Sequence, residues 1–268
     1  MGFLDADDLY LAGGLSAMLA QALSTQSELV HAPFLHATGR YGLGGEARSW
    51  LNILDRTEFQ HISSPATFAQ VPSLQLIVAP WKFLHKVEYL RENSIEFDPA
   101  LRKFEDRPFV LSNLLAGGVI SFCKVPSRIW RARPGSISSS EKRNDEVELA
   151  LQSVERCVQI VEESIEAGGV SRIYLARELA HSLHRVTVST QILQLANAGF
   201  LDFRERLEAM FSKARSLEEF VDDKVIANRT TAMRQQLGFT KKDVLDLLAS
   251  LMEGDFEATQ HFERHIRK

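Results

Sequence analysis

The sequence lacks the features that define several large protein classes. It contains no run of roughly eighteen apolar residues, and its first five residues include an acid but no basic cluster, so neither a membrane span nor a signal peptide is predicted. Walker loop, Rossmann glycine fingerprint, Gly-x-Ser-x-Gly elbow and Cys-x-x-Cys pair are all absent. These absences disfavour several common enzyme classes, and we expect neither a cofactor nor a metal nor a membrane partner.

Cysteine is scarce as well. The only two, Cys123 and Cys157, each lie in an apolar stretch. This placement favours buried, reduced thiols over a disulfide scaffold and predicts a cytoplasmic protein. A net charge of -4 and a pI near 6.1 argue against general binding to polyanions, because non-specific affinity for DNA comes from lysine and arginine contacts to phosphates.

The chain is long enough to form two domains, since it has 268 residues of which 45% are hydrophobic. Proline, glycine and serines interrupt the hydrophobic pattern over residues 131–143, which predicts an exposed linker. Residues 1–130 mix helical and extended patterns, whereas residues 144–268 are patterned almost entirely as helices. The fold class expected is therefore α+β, with a mixed α/β domain followed by an all-α domain.

Particular elements are predicted inside this frame. In the first domain we expect an amphipathic helix from Asp8 to Leu23, a strand from Leu74 to Ala79 and a helix from Trp81 to Glu92. In the second, apolar residues recur every three or four positions and form a narrow seam: Val147, Leu151, Val154, Val158, Val161 and Ile165. A helix over 147–165 that packs inside its own chain, or that binds a protein partner or a second copy, explains this seam.

One segment resembles nucleotidyltransferase-fold proteins, including AbiEii-type toxins. It contains Gly13 and Gly14, which in that family let the backbone approach a triphosphate. The family places a carboxylate pair on the next strand, and the matching positions here are Glu28 and Val30. Two-metal phosphoryl transfer needs more than one acid, so the resemblance implies a degenerate, non-catalytic relative.

The resemblance covers roughly residues 9 to 115. Lys86 matches the lysine on a helix of that family, whereas Arg91 and Asp106 fall near its later basic and acidic residues. The nucleotide-binding residues that it implies are Gly13, Gly14, Glu28 and Lys86.

Residues 171–203 resemble the core of a winged helix-turn-helix. The second helix is predicted over Thr187 to Ala198, and Arg185, Thr187, Ser189 and Gln191 are its candidate DNA-binding residues. That helix contains neither lysine nor arginine, and no β wing is predicted after it. Nucleic acid is therefore not the favoured partner.

Two further patterns are present in the second half of the chain. Arg177 and His184 lie two helical turns apart and resemble the motif of HEPN ribonucleases, where such a pair would be catalytic without a metal. Residues 237–256 resemble a helical stretch of MqsR-family toxins, and Glu257, His261 and His265 share a helix face without a recognisable metal motif. The favoured function is a non-catalytic interaction or regulatory protein that is related to degenerate nucleotidyltransferases and resembles those of toxin-antitoxin systems. A HEPN-type ribonuclease and a winged-helix DNA-binding regulator are the alternatives.

Overall fold

The computed structural model describes residues 1–38, 47–50, 65–132 and 144–188 and four single positions, 206, 209, 213 and 220. The chain divides into two compact units, Met1–Glu141 and Lys142–Lys268. The division falls within the predicted linker, residues 131–143, but residues 131 and 132 belong to a strand of the first unit and residues 133–143 lie outside the described part of the chain. The linker stays a prediction. The architecture is a mixture of helices and sheets, as the expected α+β class requires.

The first unit contains two small sheets. The strands are β1 (Leu9–Tyr10), β2 (Leu29–His31), β3 (Phe34–Thr38), β4 (Ala47–Trp50), β5 (Phe83–His85), β6 (Ile120–Phe122) and β7 (Arg128–Ala132). The three-stranded sheet has the order β5-β2-β6, with β5 antiparallel and β6 parallel to β2. The four-stranded sheet has the order β1-β7-β3-β4, in which only the β7–β3 pair is parallel.

Three helices accompany these sheets: α1 (Gly14–Thr25), α2 (Val87–Glu92) and α3 (Asp106–Leu115). Helix α1 packs on the three-stranded sheet through Met18, which contributes to an apolar cluster with Val30, Ala32 and Cys123. Its opposite side is apolar too, since Leu15, Leu19 and Leu23 are exposed. Helix α3 is almost entirely buried, and this burial holds its first residue, Asp106, in a fixed place.

Several predicted elements of this unit are wrong in type or extent. The helix expected from Asp8 begins only at Gly14, because residues 9–10 pair with β7 and Gly13 adopts a left-handed conformation with φ of 79°. The strand expected over Leu74–Ala79 is replaced by a 3₁₀ helix over Pro72–Leu76. The helix expected over Trp81–Glu92 is divided into a 3₁₀ turn, β5 and α2.

Gly14 is required by a close approach of two backbones. A Cβ added to it would lie 2.7 Å from the Cα and the carbonyl oxygen of Ser127, and neither atom can move independently of β7. We expect Gly14→Ala to destabilise the protein by about 1 to 3 kcal/mol, the usual cost of overpacking. Gly13→Ala is the matched control, because a Cβ there meets nothing within 4 Å and the strain is confined to its positive φ. Urea unfolding of both variants measures the difference, and equal stabilities would contradict this role.

In the second unit, the described elements are helices α4 (Asn144–Glu166) and α5 (Arg172–Val188), which pack against each other. The predicted seam falls on α4, where Leu151, Val154, Val158 and Val161 are buried and Ile165 is half-buried. Leu149, Ala150, Ser153, Cys157 and Ile160 are buried as well. The buried face is therefore broader than a narrow seam. Whether α4 also joins two chains stays a prediction.

Ion pairs repeat every seven residues along α4. Arg206 donates to Glu148 at 2.7 and 2.8 Å and to Glu155 at 2.7 Å, and Lys213 donates to Glu162 at 2.8 Å. Positions 206 and 213 therefore lie beside positions 155 and 162 of α4, in the same order along the chain. Among the described residues no helix is both long and apolar enough to cross a membrane.

Candidate functional site

The first unit gathers carboxylates that are distant in sequence. Asp5, Asp7 and Asp8 lie in the segment just before β1, which we call the acidic segment (residues 5–8), and Glu105 and Asp106 lie where α3 begins. Aromatic rings join the two places. The ring of Phe3 meets that of Phe109 edge-on, with centroids 5.5 Å apart, so the residues before the acidic segment pack directly on α3.

This ring contact is part of a larger aromatic cluster. Phe3 also contacts Phe97 at 5.3 Å and His85 at 5.4 Å, while Phe97 stacks on Phe109 with centroids 4.2 Å apart. Burial lowers the pKa of His85 to about 4, although its hydrogen bonds to Pro80 and Asn113 act in the opposite direction. Uncharged rings therefore connect the residues before the acidic segment to α3.

Asp106 is the most perturbed of these acids. Burial, together with the negative charges of Glu105 and Asp5, raises its pKa to about 7. A carboxyl group with a pKa near neutrality is protonated and ionised in similar amounts at pH 7, which suits an acid or base in catalysis. Asp106 therefore has the properties of a general base at the edge of the acidic segment.

Asp5 and Asp7 are more accessible to solvent than Asp8. Asp5 is exposed and Asp7 is half-buried. Burial and the neighbouring Asp7 raise the pKa of Asp5, and Arg128 lowers it. Two carboxylates that repel each other at one edge favour a divalent cation, because Mg²⁺ binds one or two protein carboxylates together with phosphates of a substrate. Within the described residues, no group of three or more His, Cys, Asp or Glu side chains forms a metal site by itself.

Asp8 has a different role. It is only 4% exposed, and its Oδ1 accepts a hydrogen bond of 3.0 Å from the backbone N–H of Arg131 on β7. Burial raises its pKa, and the hydrogen bond from Arg131 opposes that shift. Asp8 thus fixes the end of the acidic segment to the four-stranded sheet and is not available to a ligand in the same way as Asp5.

The nucleotide-binding residues expected from the sequence lie elsewhere in the first unit. Gly14 approaches the backbone of Ser127, as described above. Glu28 accepts a hydrogen bond of 2.9 Å from the N–H of Val119 through Oε2, and its Oε1 lies 3.6 Å from Nζ of Lys86. The structure thus brings Glu28 and Lys86 together, and their contacts account for both without a ligand. A nucleotide at these residues stays a prediction.

The residues of the two alternatives lie on or beyond α5. The helix is continuous from Arg172 to Val188, so the turn that a helix-turn-helix requires between residues 180 and 187 is not formed. Arg177 and His184 share this helix, and the guanidinium of Arg177 lies over the ring of Tyr174 at 5.3 Å. Arg185 and Thr187 are in the last turns of α5. Ser189, Gln191 and the acid and histidines at 257, 261 and 265 lie outside the described residues.

The fold of this chain is similar to that of solved structures. The fold is similar to that of TarS from S. aureus. The complex of TarS 1-349 with UDP-GlcNAc matches with a TM-score of 0.58 and 15% identity over 99% of this chain and 67% of that chain. The complex with UDP matches with a TM-score of 0.60 and 14% identity over 99% and 66%. A longer TarS structure gives 0.55 and 14%, with 98% of this chain and 39% of TarS covered.

The chain therefore spans two thirds or less of the TarS chains that it matches. At 14–15% identity the likeness to TarS shows the fold alone. No protein-family model matches the sequence, and no curated protein is similar to it.

The likeness to TarS corrects the expectations drawn from resemblance. The AbiEii-like nucleotidyltransferase and the winged helix are wrong, since the fold that matches is that of TarS. The non-catalytic, toxin-antitoxin-like interaction protein and its alternatives, a HEPN-type ribonuclease and a DNA-binding regulator, are wrong for the same reason. The physical source of the error is the Gly13-Gly14 pair, in which Gly13 adopts a positive φ before α1 and Gly14 allows a close approach to the backbone of Ser127.

Sequence reasoning also missed the acidic segment. Three aspartates within four residues follow the apolar pair Phe3-Leu4. From the sequence alone, these acids count only as evidence against a signal peptide, and the start of a helix is placed at Asp8. Two carboxylates separated by one residue, directly after an apolar stretch, are a signal for a cation and its phosphate ligand. A second acidic pair, Glu105-Asp106, lies where the buried helix α3 begins. Considered together with the three aspartates, this pair would have indicated an acidic site.

Proposed function

We propose that the protein is a glycosyltransferase that transfers a sugar from a nucleoside diphosphate sugar to a hydroxyl group of an acceptor. The observation that carries the proposal is Asp106, a carboxyl with a pKa of about 7 beside a segment with two accessible aspartates. The fold supports it, since TarS is a glycosyltransferase that has been solved with UDP-GlcNAc and with UDP. UDP-GlcNAc is accordingly the first donor to test.

Asp106 acts as the general base of this reaction. Its ionised carboxylate accepts the proton of the acceptor hydroxyl as the oxygen attacks the anomeric carbon of the donor. The bond between that carbon and the diphosphate oxygen breaks, and the nucleoside diphosphate leaves with the electron pair. A single displacement of this kind inverts the configuration of the anomeric carbon.

Asp5 and Asp7 would hold a divalent cation. Their carboxylate oxygens are hard ligands at an accessible edge, and their mutual repulsion is relieved when a cation binds, so the residues present fit Mg²⁺ or Mn²⁺. When bound, such an ion neutralises charge that develops on a diphosphate leaving group. The aspartates themselves orient the donor, because the two are separated by one residue on an anchored segment.

The decisive experiment is a binding and turnover assay on the purified protein. We expect UDP to bind in the presence of Mn²⁺ and binding to weaken when the ion is removed with a chelator, as measured by calorimetry. UDP-GlcNAc should release UDP, and a set of other nucleotide sugars defines the donor. An affinity for UDP that is the same with and without Mn²⁺, or no UDP binding at all, would contradict the proposal.

Glu105 offers a pH test that does not touch the metal ligands. Because its negative charge raises the pKa of Asp106, Glu105→Gln should lower that pKa and move the rising limb of the pH-rate profile to lower pH. For the unchanged protein that limb lies near pH 7, and activity increases with pH because the base must be ionised. Glu96→Gln, which alters an exposed acid outside the site, is the control. Superimposable profiles for all three proteins would argue against Asp106 as the base.

A further inference from the structure

We infer that Arg128 is a positioning residue, which anchors the acidic segment through the carbonyl oxygen of Phe3 and thereby sets the affinity for the divalent cation. The inference rests on the proposed function, since the cation is assigned to Asp5 and Asp7. Arg128 lies in β7 and contacts neither the donor nor the acceptor in the proposed reaction.

The carbonyl group of Phe3 accepts two hydrogen bonds. Its oxygen accepts a hydrogen bond of 2.8 Å from Nη1 of Arg128 and another of 3.0 Å from the hydroxyl of Tyr10. Phe3 precedes Asp5 by two residues, so these bonds fix the chain just before the first ligand. The acidic segment is held at its other end too, because Arg131 donates through Nε to the carbonyl oxygen of Asp7 and through its backbone N–H to Asp8.

The guanidinium of Arg128 is buried between aromatic rings. Arg128 is only 1% exposed, and its guanidinium carbon lies 5.0 Å from the ring centroid of Tyr10 and 5.1 Å from that of Trp81. A planar cation held between two aromatic rings keeps one orientation, which lysine cannot reproduce. An arginine buried at this depth is costly unless it is compensated, and here the compensation comes from the two rings, the Phe3 carbonyl and the nearby Asp8 and Asp5.

The backbone of Arg128 is fixed by its place in the four-stranded sheet. It is the first residue of β7 and pairs with Tyr10 of β1 and with Phe34 of β3. Paired on both sides, the backbone of Arg128 cannot shift without breaking the four-stranded sheet. The side chain therefore holds the acidic segment, which carries the cation ligands, in a fixed position relative to the sheet. Residues that contact metal ligands commonly have this role.

The test measures Mn²⁺ binding directly, by electron paramagnetic resonance of the free ion, on the full chain with and without UDP. Arg128→Met removes the donor and the charge, and Arg128→Lys keeps the charge alone. Tyr10→Phe keeps the ring but removes the hydroxyl, and with it both the second hydrogen bond to Phe3 and the hydrogen bond with Arg128. We expect the Mn²⁺ dissociation constant to rise about 10- to 100-fold in Arg128→Met, the range for residues behind a metal ligand. Arg128→Lys and Tyr10→Phe should give smaller increases, and Arg102→Met, at an exposed arginine, should give none.

Two readouts separate positioning from a structural effect. Amide hydrogen exchange over residues 3–8 should accelerate in the Arg128 variants, and the KM for the donor should rise with the Mn²⁺ dissociation constant while the limb of the pH-rate profile near pH 7 stays in place. Tyr10→Phe, which keeps the ring, tests the same anchor if Arg128→Met does not fold. Unchanged Mn²⁺ affinity in folded Arg128→Lys and Tyr10→Phe would overturn the inference. Failure of the unchanged protein to bind Mn²⁺ would instead overturn the proposed function and the inference with it.

Discussion

Asp106→Asn is expected to slow sugar transfer by about 10²- to 10⁴-fold, the usual contribution of a positioned general base. Asparagine keeps the size and place of the side chain but cannot accept a proton at neutral pH. The residual activity should lose the rise near pH 7, because the group responsible for it is gone. UDP release from UDP-GlcNAc across pH 5 to 9 measures both effects, with Glu96→Gln as the control.

The same variant should be more stable than the unchanged protein at pH 8. The pKa of Asp106 is about 7 in the folded protein against an ordinary value of 3.8, so the folded state retains a proton that the unfolded state has lost between these values. Stability therefore falls as the pH rises from about 4 to 7. Asparagine carries no charge to bury, and we expect it to gain on the order of 1 kcal/mol at pH 8 and little at pH 4. A variant that loses both activity and stability would indicate a packing role for Asp106.

Asp7→Asn and Asp5→Asn are the second pair of substitutions with large effects. Each removes one of the two negative charges assigned to the cation, and each should lower activity by about 10²- to 10³-fold, as loss of electrostatic stabilisation at a leaving group does. Glu92→Gln removes an exposed acid of α2 and should leave activity unchanged.

The ion requirement distinguishes these aspartates from the base. Raised Mn²⁺ concentrations should recover part of the activity of Asp7→Asn and Asp5→Asn, because their defect is weaker binding. They should not recover that of Asp106→Asn, whose defect is proton transfer. Full activity of the Asp7 and Asp5 variants at low Mn²⁺ would contradict the assignment of the cation to them.

The sequence predicted fold elements best where local pattern and packing agree. Helix α4 has a strong period and a glycine that adopts a positive φ, Gly168, just after its end, so its presence could be predicted. The segment Trp81–Glu92 could not, because β5 forms only through pairing with β2, more than fifty residues earlier. Similarly, Leu9 and Tyr10 read as the start of a helix until β7 is available to pair with them.

The candidate site, like these elements, depends on contacts between residues that are distant in sequence, and local pattern does not reveal them. The Asp5-Ala6-Asp7-Asp8 motif is visible in the sequence, but its meaning depends on Asp106, a hundred residues away. Nothing local to Asp106 shows that its pKa is raised, since the causes are burial of α3 and charges that include Asp5. The glycine pair was the more conspicuous motif, and the reason for Gly14 also lies far along the chain, at Ser127.

The anchoring of the acidic segment by β7 has a consequence for biosynthesis. The three hydrogen bonds from Arg128 and Arg131 join residues 123 to 125 positions apart. A ribosome therefore completes the acidic segment long before its anchors emerge, and contacts of such separation form slowly because loop closure must come first. During that interval the aspartates are a mobile, highly charged stretch. Substitutions in β7 should thus reduce the yield of folded protein in cells more than equilibrium unfolding of the finished chain would suggest.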